Sequence, residues 1–278
     1  VDDAINVAVV GRLLLYIGAL IAIGRSTSVF LNAEWGAHDA PALQWTARTG
    51  TLALWLAPLL LLHFQLTALE LTLAESGPLL RDTGWGVNWS ALAVSCAVLG
   101  IVLMAPVQRI TVLLGAAGAI VVAATMGGMG HAAASEQFPV GARVLDAAHV
   151  LTMGAWIGGL FTTFQLGQQL STQERQFAWR RFSRMATWMA PLTLATGLGS
   201  GVRMLYNAPI GDMIGNRYSQ LLLVKSLLVV VVLLMGALQR RRIVRGDLPE
   251  RDLIRNECAV AFVVLVVTAV FTGSEPPG

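Results

Sequence analysis

Apolar and polar residues follow one another along this chain in long blocks, not residue by residue. Eight blocks are apolar, at roughly 6–31, 48–69, 88–106, 110–130, 144–168, 185–206, 219–239 and 257–273. Each has about the ~20 residues that one helix needs to cross the hydrocarbon core of a bilayer. Lipid offers backbone groups no hydrogen-bond partners, so spanning segments of this length are expected to be helices. The run from Leu221 to Leu234 shows none of the polar/apolar alternation of a barrel strand. The pattern predicts an all-α polytopic membrane protein, a bundle of about eight transmembrane helices. No internal repeat or linker divides the chain, so residues 1–278 read as a single transmembrane domain.

Composition sharpens this picture. Hydrophobic residues make up 55% of the chain and charged residues 13%, about half the ~25% charge of a soluble domain. Too little charge is present to cover a soluble surface, and too much apolar surface for a disordered chain. The net charge is only +3, and its basic residues sit in short loops. Nucleic acid, which calls for a concentrated basic patch, is therefore not an expected partner, whereas membrane lipid is. Cys96 and Cys258 lie in or at the edge of apolar runs and form no CxxC motif. Val1-Asp2-Asp3 has no basic character, so no signal peptide is expected.

The arginines predict an orientation. Odd-numbered loops hold Arg48, Arg109, the group Arg175, Arg180, Arg181 and Arg184, and the group from Arg240 to Arg255. Even-numbered loops and the helix ends beside them hold Arg81, Arg143, Arg203 and Arg217. Basic loops stay in the cytoplasm, so the odd loops are expected inside and both termini outside, in the periplasm of a bacterial inner membrane. Trp85 and Trp89 suit the outer interface, and Trp45 and Trp179 the inner one.

Two stretches carry candidate chemistry. Met126-Gly127-Gly128-Met129-Gly130-His131 closes the fourth span with two thioethers and an imidazole. Thioethers favour Cu(I), and imidazole suits copper in either oxidation state. Methionine also fills gaps in apolar cores, so the histidine is what raises this stretch above packing. In the fifth span His149, Met153 and Trp156 recur on one helix face. Asp146, one turn earlier, is placed to orient the imidazole through its second nitrogen. His131, His149 and His63 of the second span fall in the outer half. So do Met126, Met129 and Met153, while Met104, Met185, Met189 and Met235 lie toward the inner side as a candidate exit path. Arg12, Arg25 and Lys225 interrupt apolar runs and are expected to snorkel or to pair with a carboxylate. Glu257 is expected to pair with an arginine of the seventh loop. No Walker A sequence, Cys-Pro-Cys pair or Ser/His/Asp set is present, so neither an ATP-driven pump nor an enzyme is expected.

The order Gly130-His131-Ala132-Ala133, Leu145-Asp146-Ala147-Ala148-His149 and Trp156-Ile157-Gly158-Gly159-Leu160 resembles the copper-resistance D (CopD) family of bacterial inner-membrane proteins. Phe177 and Phe182 among arginines, Lys225, Arg255-Asn256-Glu257 and Pro276-Pro277 follow the same layout. The resemblance implies copper transport across the inner membrane, in the service of copper uptake, homeostasis or resistance. It also implies a periplasmic copper carrier of the CopC type as partner, and it carries over His131 and His149. A haem-binding electron carrier of the cytochrome b type, using His63, His131 and His149, is the main alternative. A copper-binding assembly protein that moves no metal is a third.

Overall fold

The computed structural model describes residues 2–32, 41–129, 139–205 and 216–273. Among these, all regular structure is helical. The helices are α1 (Asp2–Leu31), α2 (Pro41–Ala68), the short α3 (Ser76–Asp82), α4 (Gly84–Met104), α5 (Arg109–Gly127), α6 (Pro139–Met153), α7 (Gly159–Gly167), α8 (Thr172–Leu205), α9 (Arg217–Arg245) and α10 (Arg251–Phe271). α6 runs into α7 through a single π-helical turn, Gly154–Gly158, so the two make one span with a wide turn at its middle.

Among the described residues, seven helices are long and apolar enough to cross a membrane: α1, α2, α4, α5, the α6–α7 unit, α9 and α10. The remaining predicted span, 185–206, coincides with the second half of α8. That segment carries Thr187, Thr193, Thr196, Gly197, Gly199, Ser200 and Gly201. These residues dilute its apolar character, and several of them face the interior of the bundle rather than lipid.

α1 is the central element. It packs against α2, α5, the π turn, α7 and α10, and 56% of its most apolar stretch is buried. Helices in lipid gain little from apolar burial alone, so close backbone approach matters more. Gly24 of α1 faces Gly158 of the π turn so closely that a Cβ on either would run into the other segment's backbone. α9 is the opposite case, with 6% of its most apolar stretch buried and its packing mainly on α10.

The helices alternate in direction and produce two unlike ends. At one, Arg181 donates to the Leu31 carbonyl (2.6 Å) and Gln176 to the Gly246 carbonyl (3.3 Å). Here α8 begins with a reciprocal cap, in which the Glu174 carboxylate accepts from the Ser171 amide (2.9 Å) and hydroxyl (2.6 Å). These bonds, the hydroxyl first, hold the exposed Glu174 carboxyl below the usual range. α9 ends at Gly246, whose φ of 94° lets the Asp247 amide reach back to the Arg242 carbonyl. This is the arginine-rich end. At the other, the cavity end, Trp85 and Trp89 stack with ring centroids 6.3 Å apart, and Tyr16 donates to Thr272 (3.3 Å).

Three expectations change. Trp179 does not sit at a lipid interface: it is buried, edge-on to Phe182 at 5.7 Å, because α8 packs against α7 and α9. Arg25 is buried with its Nε unpartnered, and it neither snorkels nor pairs with a carboxylate among the described residues. Lys225 pairs with no described carboxylate either; its ammonium lies 5.6 Å from the centre of the Phe271 ring.

Candidate functional site

The cavity end holds a chamber of about 300 Å³ walled by α1, α2, α4, α5, α6, α8, α9 and α10. Residues singled out from the sequence line it: Met126 and Met129 from the end of α5, Asp146, His149 and Met153 from α6, and Arg12 and Lys225 across from them. α5 and α6 are neighbours in the bundle, with Gly127 lying against the Arg143 backbone (3.1 Å from an added Cβ to the Arg143 carbonyl oxygen). This places the thioether-bearing end of one helix beside the imidazole-bearing start of the next. His131 lies outside the described residues. His63 is exposed on α2, and it is not among the residues that line the chamber.

The orientation of His149 comes from α8. Its Nδ1 lies 3.1 Å from the Thr193 carbonyl and 3.1 Å from the Thr196 hydroxyl. A carbonyl only accepts, so Nδ1 carries the hydrogen. The Thr196 hydroxyl spends its own hydrogen on the Leu192 and Thr193 carbonyls (2.8 and 3.0 Å), and its oxygen accepts from the imidazole. This fixes the tautomer and leaves Nε2 with a free lone pair, the state in which imidazole binds a metal. Gly197 makes the fit possible: a Cβ there would stand 3.0 Å from His149 Cε1. Asp146 does not do this work. Its Oδ1 accepts from Ser200 (2.7 Å), tying α6 to α8 one turn nearer the cavity end.

Sequence reasoning thus named the imidazole but missed the residues that set it. Thr193, Thr196 and Gly197 form a small polar patch within an apolar run, and that dilution of hydropathy is the signal that points to them. The opposite wall holds Arg12, Tyr16, Tyr218 and Lys225. Among the described residues no three His, Cys, Asp or Glu side chains cluster to form a conventional metal cage. The metal donors gathered here are one imidazole, three thioethers and the Asp146 carboxylate, a mainly soft and open set. Of the inner methionines, Met104 is exposed, and Met185 and Met189 pack against the apolar cluster around Trp179 and Phe182.

The described chain is therefore an all-α polytopic membrane protein whose bundle encloses a chamber with imidazole and thioether walls. Residues 176–271, from α8 to the end of α10, match the family model described as Copper resistance protein D. The chain is also similar to the "Copper transport protein CutJ" of Bacillus subtilis (strain 168), at 31% identity over 159 residues. That alignment covers 53% of this chain and 28% of the relative, so the chain spans well under a third of the relative's length. No solved structure matches the chain. The resemblance to the CopD family is borne out by these two matches.

Proposed function

We propose that the chain moves copper across the bacterial inner membrane, taking the ion into the chamber at the cavity end. The observation that supports this most is His149. Its Nδ1–H is held by α8 and its Nε2 lone pair is free, in the same chamber as Met126, Met129 and Met153. A soft, partly open donor set holds Cu(I) without caging it, and that suits an ion that must leave again. Lys225 and Arg12 outnumber the Asp146 carboxylate in this lining, and net repulsion scales with ionic charge, so it disfavours a divalent ion more than Cu(I).

The arginine distribution supports a cytoplasmic arginine-rich end, a periplasmic cavity end and periplasmic termini. A copper carrier of the CopC type would then meet the protein at the cavity end. Cysteine labelling at the Arg240–Arg245 end of α9 in intact cells tests this orientation: an impermeant reagent added outside should not reach it.

Transport itself is tested in vesicles reconstituted with the purified protein and loaded with a Cu(I) chelator. Wild type should accumulate copper, and His149→Ala should not. Equal uptake by both would move the site elsewhere, and a Soret band in the purified protein would favour the haem alternative.

A further inference from the structure

A second cavity of about 600 Å³, lined mostly by apolar side chains, opens from His149, Met153 and Lys225 toward the arginine-rich end, as far as Val232 of α9 and Ala261 of α10. One helical turn beyond Ala261 lies Glu257, and one turn beyond Val232 lies Gly236. The two face each other, with Glu257 Oε1 3.2 Å from the position of a Gly236 Cβ. Glu257 is 2% exposed, and its Oε2 is buried without a hydrogen-bond partner. The absence of a side chain on Gly236 is what gives this carboxyl its room.

The expected ion pair with the seventh loop is not formed among the described residues: Arg241, Arg245 and Arg251 are exposed, and the others are engaged elsewhere. Arg242 pairs with Glu250 (2.8 Å), and Arg255 with Asp252 (3.3 Å). Arg240 Nε donates to the Thr187 hydroxyl (3.0 Å). Both ends of the Gln239 amide bind the Glu250 backbone (2.9 and 3.1 Å). On α8, Arg181 reaches the Leu31 carbonyl, and Arg180 and Arg184 are exposed. α7 has no ionisable side chain. On α1, Arg25 is buried and makes no ion pair with Glu257. On α10 itself the neighbouring titratable group is the Cys258 thiol.

An ionised carboxylate with no counter-ion, about 9 Å inside a spanning helix by the rise per residue, is strongly unfavourable. Ionisable groups are rarely retained at such positions without a task in moving ions or protons. We propose that Glu257 is a proton-carrying group of the transport cycle, an inference that rests on the transport reading above. The carboxyl is protonated while the pathway is empty. When Cu(I) descends the second cavity, the O–H bond breaks, the proton leaves to the water at the arginine-rich end, and the carboxylate balances the arriving charge. When copper departs, a proton from the same side restores the carboxyl. One positive charge thus replaces another, and the buried site is never left with an unbalanced charge.

Two measurements test this, with Glu257→Gln as the isosteric neutral variant and Glu257→Asp as one that keeps the carboxyl. In infrared spectra of the metal-free protein at neutral pH, wild type should show the carbonyl band of a buried protonated carboxyl, weakened by Cu(I). Glu257→Gln should lack that band, and Glu257→Asp should show it shifted. In vesicles, wild-type copper uptake should rise with pH, up to the limit of about tenfold per unit for one proton. Glu257→Gln should lose that dependence while binding copper in the first chamber with unchanged affinity. Spectra identical for wild type and Glu257→Gln, or an unchanged pH profile of uptake in the variant, would overturn the inference. If wild-type vesicles take up no copper at all, the transport reading fails instead, and the infrared arm still decides whether Glu257 holds a proton.

Discussion

His149 and Glu257 are both ionisable, both lie inside helices that cross the bilayer, and the fold treats them in opposite ways. His149 is given two acceptors for its Nδ1–H, a glycine to fit against and a chamber for its free nitrogen. Glu257 is given a glycine and no hydrogen-bond partner for its Oε2, while Arg242 and Arg255 are engaged with other carboxylates. The difference teaches what each end of the pathway is built to hold. A pre-set neutral imidazole waits for a metal, whereas an unpartnered carboxyl must stay neutral until a cation arrives.

The comparison breaks altogether if the π turn is separated from α1. Gly158→Ala puts a methyl group into the Leu20 and Gly24 backbone. It should cost about 3 kcal/mol or more, the upper range for overpacking, because backbone on both sides has no rotamer to yield. Thermal unfolding in detergent reads this directly, and a wild-type melting temperature would show that α1 and the π turn separate without penalty.

Next in size is the imidazole end alone. His149→Ala should lower copper affinity about 100-fold under both reducing and oxidising conditions, and Gly197→Ala about tenfold, since tilting the ring disturbs the bonds that orient a ligand. Competition with a copper chelator measures both. Wild-type affinity in Gly197→Ala would mean that the geometry α8 imposes is irrelevant and only the imidazole matters.

The thioether wall sharpens the comparison by oxidation state. Met126→Leu and Met129→Leu preserve volume and remove sulfur, so each should weaken Cu(I) binding several-fold and leave Cu(II) binding unchanged. Each loss should be smaller than that of His149→Ala. Equal losses for the two oxidation states would assign these methionines to packing.

The smallest effect belongs to the exposed cap at the arginine-rich end. The Glu174 carboxyl is held below the usual carboxylate range by the Ser171 hydroxyl and amide. Its contribution to α8 is therefore present above the ordinary carboxylate range and lost as pH falls through its lowered value. Hydrogen exchange of the first α8 amides should quicken over that acidic window in wild type, and Glu174→Gln should show no such step.

The orienting residues of the site were hard to read for a definite reason. His149 announces itself, since an imidazole within an apolar run is rare. Thr193 and Thr196 do not, because a threonine in a spanning helix usually satisfies itself on its own helix. Thr193 does so here, on the Met189 carbonyl (2.8 Å). Only the crossing of α6 and α8 turns its carbonyl and the neighbouring hydroxyl toward the imidazole. Asp146 illustrates the same limit. One helical turn from His149 in sequence, it reaches across to Ser200 instead, because its side chain faces α8 nearer the cavity end.

Much of the molecule follows from the chain alone. Apolar blocks of bilayer length leave the backbone no hydrogen-bond partners but its own, so eight long helices follow wherever tertiary packing places them. The residue types able to meet soft copper are equally plain, because imidazole and thioether chemistry belongs to the side chain and not to its surroundings. Contacts between helices far apart in sequence decided the rest. The facing pair Gly24 and Gly158 brings α6–α7 against α1, and this sets the chamber that His149 shares with the methionines while His63 stays outside. Competition among neighbours contributed to leaving Glu257 without an ion pair, since Arg240, Arg242 and Arg255 found nearer acceptors. An ion pair depends on which groups the fold brings within reach, and spacing along one helix does not contain that information.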